Sequence, residues 1–279
     1  MCAFCIAVGI IFPRCADADA CVWKVSNANG ALLYLGGSIH ALQPGDYPLP
    51  GQYSRALDAS SHLVLEDDPK ASPEGSKDLI KAGQYQKGDS LKNHVDPRTY
   101  DYLRHFFALM NVPEAKFMRL KPWFINLVLS YPSDQYLNLG VESFLTKRAK
   151  AESKPVSGLE GVREHNQVFE ALSDRESEAL LLILFINAAH ESGGGVNVVD
   201  AWRQGDTNVL WRSFHDGFRD FPSLGERMVE ARNRNWIPKI EGYLRSGQTY
   251  FVVVGAAHMG GPNGVLALLR ERGFKIEQL

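Results

Sequence analysis

The sequence predicts an α/β fold, with two pseudo-repeated sheet halves and a helical middle insertion in a single two-lobed domain. Short apolar runs of β-forming residues, bounded by turns, occur near both ends of the chain. Runs of this kind are typical of strands buried on both faces of a sheet. Each end also contains one copy of a unit in which a strand is followed by the motif G-x-x-H, and the stretch between the two copies has helical periodicity. No linker that would separate independent domains interrupts the 279 residues.

The C-terminal unit is the element around which this fold is predicted. An apolar run over residues 250–254 is followed by Gly255-Ala256-Ala257-His258 and then by a short helical stretch. Residues 274–279 predict one more strand, so the unit is expected to be β-α-β with a parallel pairing. Ligands bind at the carboxyl ends of strands in such sheets, and His258 falls at that position.

The N-terminal unit repeats the same device after a predicted hairpin. Residues 22–25 and 31–35 flank an asparagine-glycine turn signal, and Gly37-Ser38-Ile39-His40 follows the second strand. Buried strands are also predicted over residues 61–66 and 154–160, and each of them ends in a glutamate. The two G-x-x-H units therefore predict two half-sites that face one cleft.

The middle of the chain is predicted to be helical. Helices are predicted from Asp96, from Lys121-Pro122, and over residues 140–150, 173–190, 199–215 and 224–246. The helix over 173–190 contains an unbroken apolar run from Leu180 to Ile186, which predicts burial on all sides. It is too short an apolar stretch for a membrane span.

Composition and charge limit the function classes. A net charge of −2 and a pI near 6.5 provide no basic field, so nucleic acid is not an expected partner. All four cysteines lie within the first 21 residues, so disulfide bonds cannot form a framework for the body of the fold.

The first 20 residues resemble a signal peptide or a degraded leader. An apolar run over 3–12 precedes Ala18-Asp19-Ala20, which matches a cleavage site, although the usual basic segment is missing. We therefore expect an exported protein, periplasmic or extracellular, without a transmembrane span. Residues 21–279 are expected to form the folded domain.

Histidine and glutamate residues at strand ends are the candidate metal ligands. His40 and His258 occupy matching contexts, and Glu66 and Glu160 each end an apolar strand. Neutral imidazole is a common metal ligand, and catalytic zinc-type sites combine three protein ligands with an open position. A set of His40, His258 and Glu66 would fit that chemistry, with a second glutamate as general base. Structural capping or solvated strand ends are the alternative explanation for these residues.

Three further polar residues sit beside apolar helix faces. Glu142 borders the apolar face of its helix, where a carboxylate either pairs with a buried base or faces the site. Asn233 lies in line with the inward stripe of its helix, next to Arg232. The pair Arg232-Asn233 suits a clamp for a carboxylate or an oxyanion, with a structural ion pair from Arg232 to Glu142 or Glu160 as the alternative.

Several familiar catalytic motifs do not occur. The sequence contains no G-x-S-x-G, H-E-x-x-H, phosphate loop or G-x-G-x-x-G. The histidines without a repeated context are interpreted as structural or surface residues: His62, His94, His105, His165 and His215.

These motifs, in this order, resemble the TraB/GumN family, which is related to the Tiki proteins. The marks are Gly37-Ser38-Ile39-His40, Glu66 after its strand, Lys121-Pro122-Trp123, Gly140-Val141-Glu142, Leu159-Glu160-Gly161, Arg232-Asn233 and Gly255-Ala256-Ala257-His258. The resemblance implies an α/β fold shared more distantly with erythromycin esterases and heme-binding ChaN-like proteins. It also implies metal-dependent peptide cleavage that favours manganese or cobalt, with the histidines and glutamates above as site residues.

The sequence is therefore interpreted as a metal-dependent hydrolase, and more specifically a peptidase. His40, Glu66 and His258 would hold a divalent cation (Mn, Co or Zn), Glu142 or Glu160 would act as base, and Arg232 with Asn233 would stabilise an oxyanion. A peptide or small molecule is the expected substrate. One alternative is an envelope protein that binds heme or another ligand without hydrolysis. A third interpretation is an interaction protein of the envelope whose site has lost its chemistry.

Overall fold

The computed structural model describes residues 19–40, 42–68, 73–130, 138–191 and 197–279. Within these residues, six strands form one sheet: β1 (Val22–Ser26), β2 (Leu32–Ser38), β3 (His62–Asp67), β4 (Val156–Glu160), β5 (Tyr250–Gly255) and β6 (Lys275–Gln278). Their order across the sheet is β4-β3-β5-β2-β1-β6. The first four strands in that order are parallel, whereas β1 is antiparallel to both β2 and β6. The predicted α/β fold in a single domain is confirmed.

Helices connect the strands and fill the middle of the chain. They are α1 (Gly51–Asp58), α2 (Pro73–Ala82), α3 (Pro97–Leu109), α4 (Pro122–Ser130), α5 (Val141–Ala151), α6 (Val162–Glu170), α7 (Asp174–Glu191), α8 (Val198–Gln204), α9 (Thr207–Gly217), α10 (Pro222–Gly225), α11 (Ala231–Arg245) and α12 (Val265–Glu271). A π-helical turn, Glu226–Glu230, joins α10 to α11. The leader predicted over residues 1–20 lies outside the described residues, except for positions 19 and 20.

The predicted hairpin forms between β1 and β2. The Asn27 side chain accepts hydrogen bonds from the backbone N–H groups of Asn29 and Ala31, each at 3.0 Å. Gly30 adopts a φ of +81°, a left-handed conformation that glycine reaches without strain. The asparagine-glycine turn thus sets the register that pairs Val22 with Gly36.

The C-terminal β-α-β unit differs from the prediction in its pairing. β5 and β6 are separated by β2 and β1, and β6 pairs antiparallel with β1 at the sheet edge. The prediction of a direct parallel pairing of β5 with β6 is therefore wrong. The physical reason is that β5 already has hydrogen-bonded neighbours on both sides, β3 and β2, so no free edge of β5 remains for β6.

The core lies around the sheet and continues into the helical middle. Phe251, Val252 and Val253 of β5 are completely buried, which confirms that this strand is covered on both faces. A second apolar cluster forms around Leu103 and Phe107 of α3, and a third contains Trp123 of α4. The helical middle therefore has its own apolar packing beside the sheet.

Two helix predictions need correction. α7 is not buried on all sides, because Ile186 is 53% exposed while Leu181 is completely buried. One face of α7 packs on α4, and its apolar run extends past that contact onto the surface. The helix predicted over 199–215 is split into α8 and α9 by Gly205, whose φ is +63°.

A search for membrane spans among the helices of the described ranges found no candidate, since each helix is too short or too polar to cross a bilayer.

Candidate active site

The carboxyl ends of four parallel strands bring the candidate residues to one edge of the sheet. Glu66 and Glu160 lie at the ends of β3 and β4. His40 follows β2, and His258 lies in a 3₁₀ turn, Ala256–His258, directly after β5. β2 and β5 are paired neighbours, and Ser38 is opposite Gly255. The two histidines of the G-x-x-H units therefore leave the sheet from adjacent strands.

Two helices carry the remaining candidates towards the same edge. Glu142 is in the first turn of α5, and Arg232 and Asn233 are in the first turn of α11. The π-helical turn Glu226–Glu230 immediately precedes α11, and single π turns within helices are frequent at functional sites.

Arg232 joins two buried carboxylates. Its Nη2 donates to Oε1 of Glu66 at 2.6 Å and to Oε2 of Glu160 at 2.7 Å, while its Nε donates to Oε1 of Glu160 at 2.9 Å. Trp236 Nε1 donates to the same Glu160 oxygen at 2.7 Å. The structural ion pair considered for Arg232 thus exists with Glu160 and Glu66, and Glu142 is not among the hydrogen-bond partners of Arg232 in the described chain.

These contacts decide the charge state of the two glutamates. Burial alone would raise the pKa of Glu160, but hydrogen bonds from His165 and Arg232 hold it at about 2. Burial opposes ionisation of Glu66 as well, yet the nearby His258 and Arg232 lower its pKa well below the usual range. Both side chains are therefore carboxylates at neutral pH, and Glu160 has its oxygens occupied by fixed donors.

His258 is held as a neutral imidazole. Asn233 Nδ2 donates to the backbone carbonyls of His258 at 3.3 Å and Asn263 at 2.9 Å, so Asn233 Oδ1 is left as the acceptor for His258 Nδ1 at 2.7 Å. This assigns the hydrogen to Nδ1 and leaves a lone pair on Nε2. Burial lowers the pKa of His258 to about 4. Nε2 lies 3.9 Å from Oε2 of Glu66.

His40 has a corresponding partner on the other half of the site. Its Nδ1 is 3.0 Å from Oε1 of Glu142, and the hydroxyl of Ser38 donates to that same oxygen at 2.5 Å. The His40 side chain is 71% exposed, so the ring is open to solvent. The hydrogen bond with Glu142 raises the pKa of His40 to about 9. The charge of His40 also influences the pKa of both Glu66 and His258.

His165 and Asp67 also lie at the site, although neither was among the site residues predicted from the sequence. His165 Nδ1 lies 2.8 Å from Oδ1 of Asp67 and 3.5 Å from Oε2 of Glu160. Among the described residues, Glu66, Asp67 and His165 form a group whose potential ligand atoms lie within 4.8 Å of one another. Arg232 Nη2 is 3.3 Å from His165 Nδ1 and 2.6 Å from Glu66 Oε1, so its positive charge lies next to this group and next to the Glu66 of the predicted set.

The sequence offered only a weak signal for these two residues. His165 lies on the helix that follows the β4 glutamate, and Asp67 comes directly after Glu66. Their meeting depends on the register that places Asp67 opposite Glu160 across β3 and β4. A single histidine on a helix with no repeated context does not reveal such a long-range partner.

Fold and site together define an α/β protein with a buried histidine and glutamate cluster at the carboxyl ends of a parallel sheet. The model of the TraB/PrgY/gumN family matches residues 21–278, and the chain belongs to that family. A search of the curated proteins found no significant match.

Proposed function

We propose that this protein is a divalent-metal-dependent hydrolase that acts on peptides, with His40, Glu66 and His258 as metal ligands. One observation carries the proposal: each G-x-x-H histidine has its Nδ1 bonded to a side-chain oxygen, Glu142 for His40 and Asn233 for His258. Metal-binding histidines usually donate their second ring N–H in this way, which directs the other nitrogen to the ion.

The ligand types of this set suit a divalent cation, although in the described part of the chain the potential ligand atoms of His40, Glu66 and His258 do not all lie within 4.8 Å of one another. His258 is already neutral, as a ligand must be, and Glu66 is ionised with Oε2 3.9 Å from Nε2 of His258. His40, whose pKa Glu142 raises to about 9, would release a proton on binding the cation. Imidazole and carboxylate ligands accept Mn, Co and Zn, so the set does not select one of these ions. When bound, such a cation supplies a Lewis acid and lowers the pKa of water to near neutrality.

The other residues of the site have roles that follow from their hydrogen bonds. Arg232 fixes Glu66 and Glu160, and Asn233 orients His258, so we assign both to holding the ligands rather than to the oxyanion role proposed from the sequence. Glu160 is engaged by Arg232 and Trp236, which disfavours it as a base. Glu142 is the carboxylate that remains, and it either accepts a proton or orients His40.

The proposal is tested by combining elemental analysis with peptide cleavage. We expect purified protein to contain a divalent metal and to cleave members of a peptide library, with cleavage lost on chelation and restored by Mn²⁺ or Co²⁺. His258→Ala should lower cleavage by at least about 100-fold, because loss of a ligand should cost no less than the largest losses seen when the residues that orient metal ligands are replaced. His105→Ala, which changes an exposed histidine of α3, should have no effect.

Two further outcomes decide between the functions considered. His258→Ala protein that stays folded and cleaves peptides normally would exclude the metal-dependent reaction at this site. Because His258 is buried, His258→Gln, which keeps a polar group near Asn233, is measured as a second variant. Absence of any cleavage, together with a Soret band on heme titration, would instead favour a heme-binding protein of the envelope. The proposal includes export through the leader at residues 1–20, which would place the enzyme outside the cytoplasm, where peptides are available as substrates.

A further inference from the structure

We infer that Ser38 and Glu142 are a positioning pair that holds His40 in a metal-binding orientation, and that Glu142 is not the base of the reaction. The inference rests on the proposed function, because it assigns His40 as a ligand. Ser38 is buried at the end of β2 and donates to Oε1 of Glu142 at 2.5 Å. His40 Nδ1 contacts the same oxygen at 3.0 Å.

Both donors use one carboxylate oxygen, which has room for two hydrogen bonds. Ser38 comes from a strand whose position is fixed by its pairing with β5, where it lies opposite Gly255. The hydroxyl therefore fixes the carboxylate, and the carboxylate fixes the ring. Since His40 is otherwise open to solvent, this chain of two hydrogen bonds is what limits the orientations of its ring.

The backbone around Glu142 is docked on the chain that carries His40. The N–H of Val141 donates to the carbonyl of Ile39 at 3.1 Å. Gly140 lies so close to the carbonyl of His40 that any Cβ at position 140 would collide with it. The first turn of α5 is thus held against Ile39-His40, and Glu142 reaches the ring from a rigid element, as an orienting residue must.

The other half of the site shows the same arrangement with a group that cannot be a base. Asn233, in the first turn of α11, bonds to Nδ1 of His258 through its amide oxygen. A side-chain amide does not accept a proton at neutral pH. Glu142 occupies the equivalent place relative to His40, on the first turn of α5. The common feature of the two partners is hydrogen bonding to Nδ1, which points to orientation as the shared role.

Glu142→Gln and Glu142→Ala separate positioning from base catalysis. The glutamine side chain keeps an oxygen that can accept from His40 and Ser38, so in Glu142→Gln we expect both Co²⁺ affinity and kcat/KM to fall by less than about 10-fold. Glu142→Ala removes the acceptor, and we expect its Co²⁺ affinity to fall by about 10- to 100-fold. Ser38→Ala should also weaken Co²⁺ binding, but by a smaller factor than Glu142→Ala. The control is Ser60→Ala, which changes a buried serine that bonds to a helix carbonyl and should leave Co²⁺ affinity unchanged.

Co²⁺ binding is followed by the visible absorption of the ion, and thermal unfolding confirms that each variant is folded. A base would give the opposite pattern: Glu142→Gln would keep normal Co²⁺ affinity and lose about 100- to 10,000-fold in kcat, the usual contribution of general acid–base catalysis. That result would overturn the inference.

Crystal structures of the metal-free protein test the positioning role of Glu142 separately from the proposed function. We expect one orientation of the His40 ring in the wild type and several in Glu142→Ala. If wild-type protein binds no metal, the proposed function fails, and the inference that rests on it fails as well. If wild-type protein binds Co²⁺ but Glu142→Ala binds it equally and keeps a single ring orientation, only the positioning role is refuted.

Discussion

At the scale of single residues, Arg232 is the side chain that pairs with both buried glutamates at the strand ends. It contacts two carboxylates that are almost completely buried, so its removal takes away the guanidinium that pairs with both negative charges. We expect Arg232→Met to lower the free energy of unfolding at pH 7 by about 3–5 kcal/mol, the usual cost of breaking a buried ion pair. Urea unfolding measures this value.

Arg245→Met provides the control on the same helix. Arg245 is 68% exposed and forms a loose pair with Glu241 at 3.7 Å, so its replacement should change stability little. Equal effects of the two substitutions would contradict the role assigned to Arg232. A triple variant that adds Glu66→Gln and Glu160→Gln to Arg232→Met should recover part of the lost stability, because it removes the unpaired charges.

The sequence predicted which residues of α11 face inward, and it indicated Glu142 and Glu160 as the alternative ion-pair partners of Arg232. Asn233 is fully buried with Trp236 and Ile240, and Arg234 is exposed, as the helical stripe predicts. The choice of Glu160 and the additional pairing with Glu66 could not be derived from periodicity, because both depend on how α11 crosses the strand ends. His165 was missed for the same reason: its contacts with Asp67 and Glu160 cross between elements.

At the scale of elements, the loop after β5 that contains Gly261 packs closely against α9. Gly261 has a φ of +77°, and a Cβ at this position would collide with the indole of Trp211 on α9. Gly261→Ala therefore adds backbone strain to a steric clash. We expect it to lower the free energy of unfolding by about 2–4 kcal/mol. Denaturant unfolding of the metal-free protein measures this loss.

Gly247→Ala isolates the backbone contribution. Gly247 has the same φ of +77°, but a Cβ there would meet no atom within 4 Å. Its replacement should cost about 1–2 kcal/mol, the penalty for a left-handed residue that is not glycine. If Gly261→Ala costs no more than Gly247→Ala, Trp211 does not restrict the loop.

Strand identity was more predictable from the sequence than strand pairing. Apolar runs and glutamates marked β3 and β4, and both are present. The edge position of β6 could not be predicted in the same way, since it results from β2 occupying the side of β5 that β6 would need. Gly205, by contrast, was a visible break signal between α8 and α9, although the apolar pattern continues across it.

At the scale of the whole molecule, the same histidines and glutamates make stability depend on pH in both directions. Burial lowers the pKa of His258 from 6.5 to about 4, so the folded state resists a proton that the unfolded chain accepts. Stability should therefore fall as the pH drops below 6.5. Glu160, with a pKa of about 2 instead of 4.5, extends this loss from pH 4.5 down to 2.

The alkaline side has the opposite sign. Burial opposes a charged His165, but its hydrogen bond with Asp67 raises the pKa to about 9. A group of this kind stabilises the fold fully below pH 6.5, its unfolded value, and loses that contribution as the pH rises towards 9. His94, which lies between Asp89 and Asp174 at 2.8 Å from each, also has a raised pKa and adds to the same loss.

We therefore expect metal-free protein to be most stable near pH 6.5, with urea midpoints that decrease on both sides. His165→Asn should make the decrease on the alkaline side shallower, because Asn cannot take up the proton that His165 holds. It should also reduce the loss that Glu160 causes on the acid side, because His165 is one of the donors that hold the pKa of Glu160 at about 2. Glu160→Gln should flatten the region from pH 4.5 to 2, even though it lowers stability at neutral pH by removing a partner of Arg232. Urea midpoints at half-unit steps from about pH 2 to about pH 9.5 test both variants. A wild-type profile that rises steadily across pH 6.5 would show that the charges at the strand ends do not control the acid and alkaline limits of the fold.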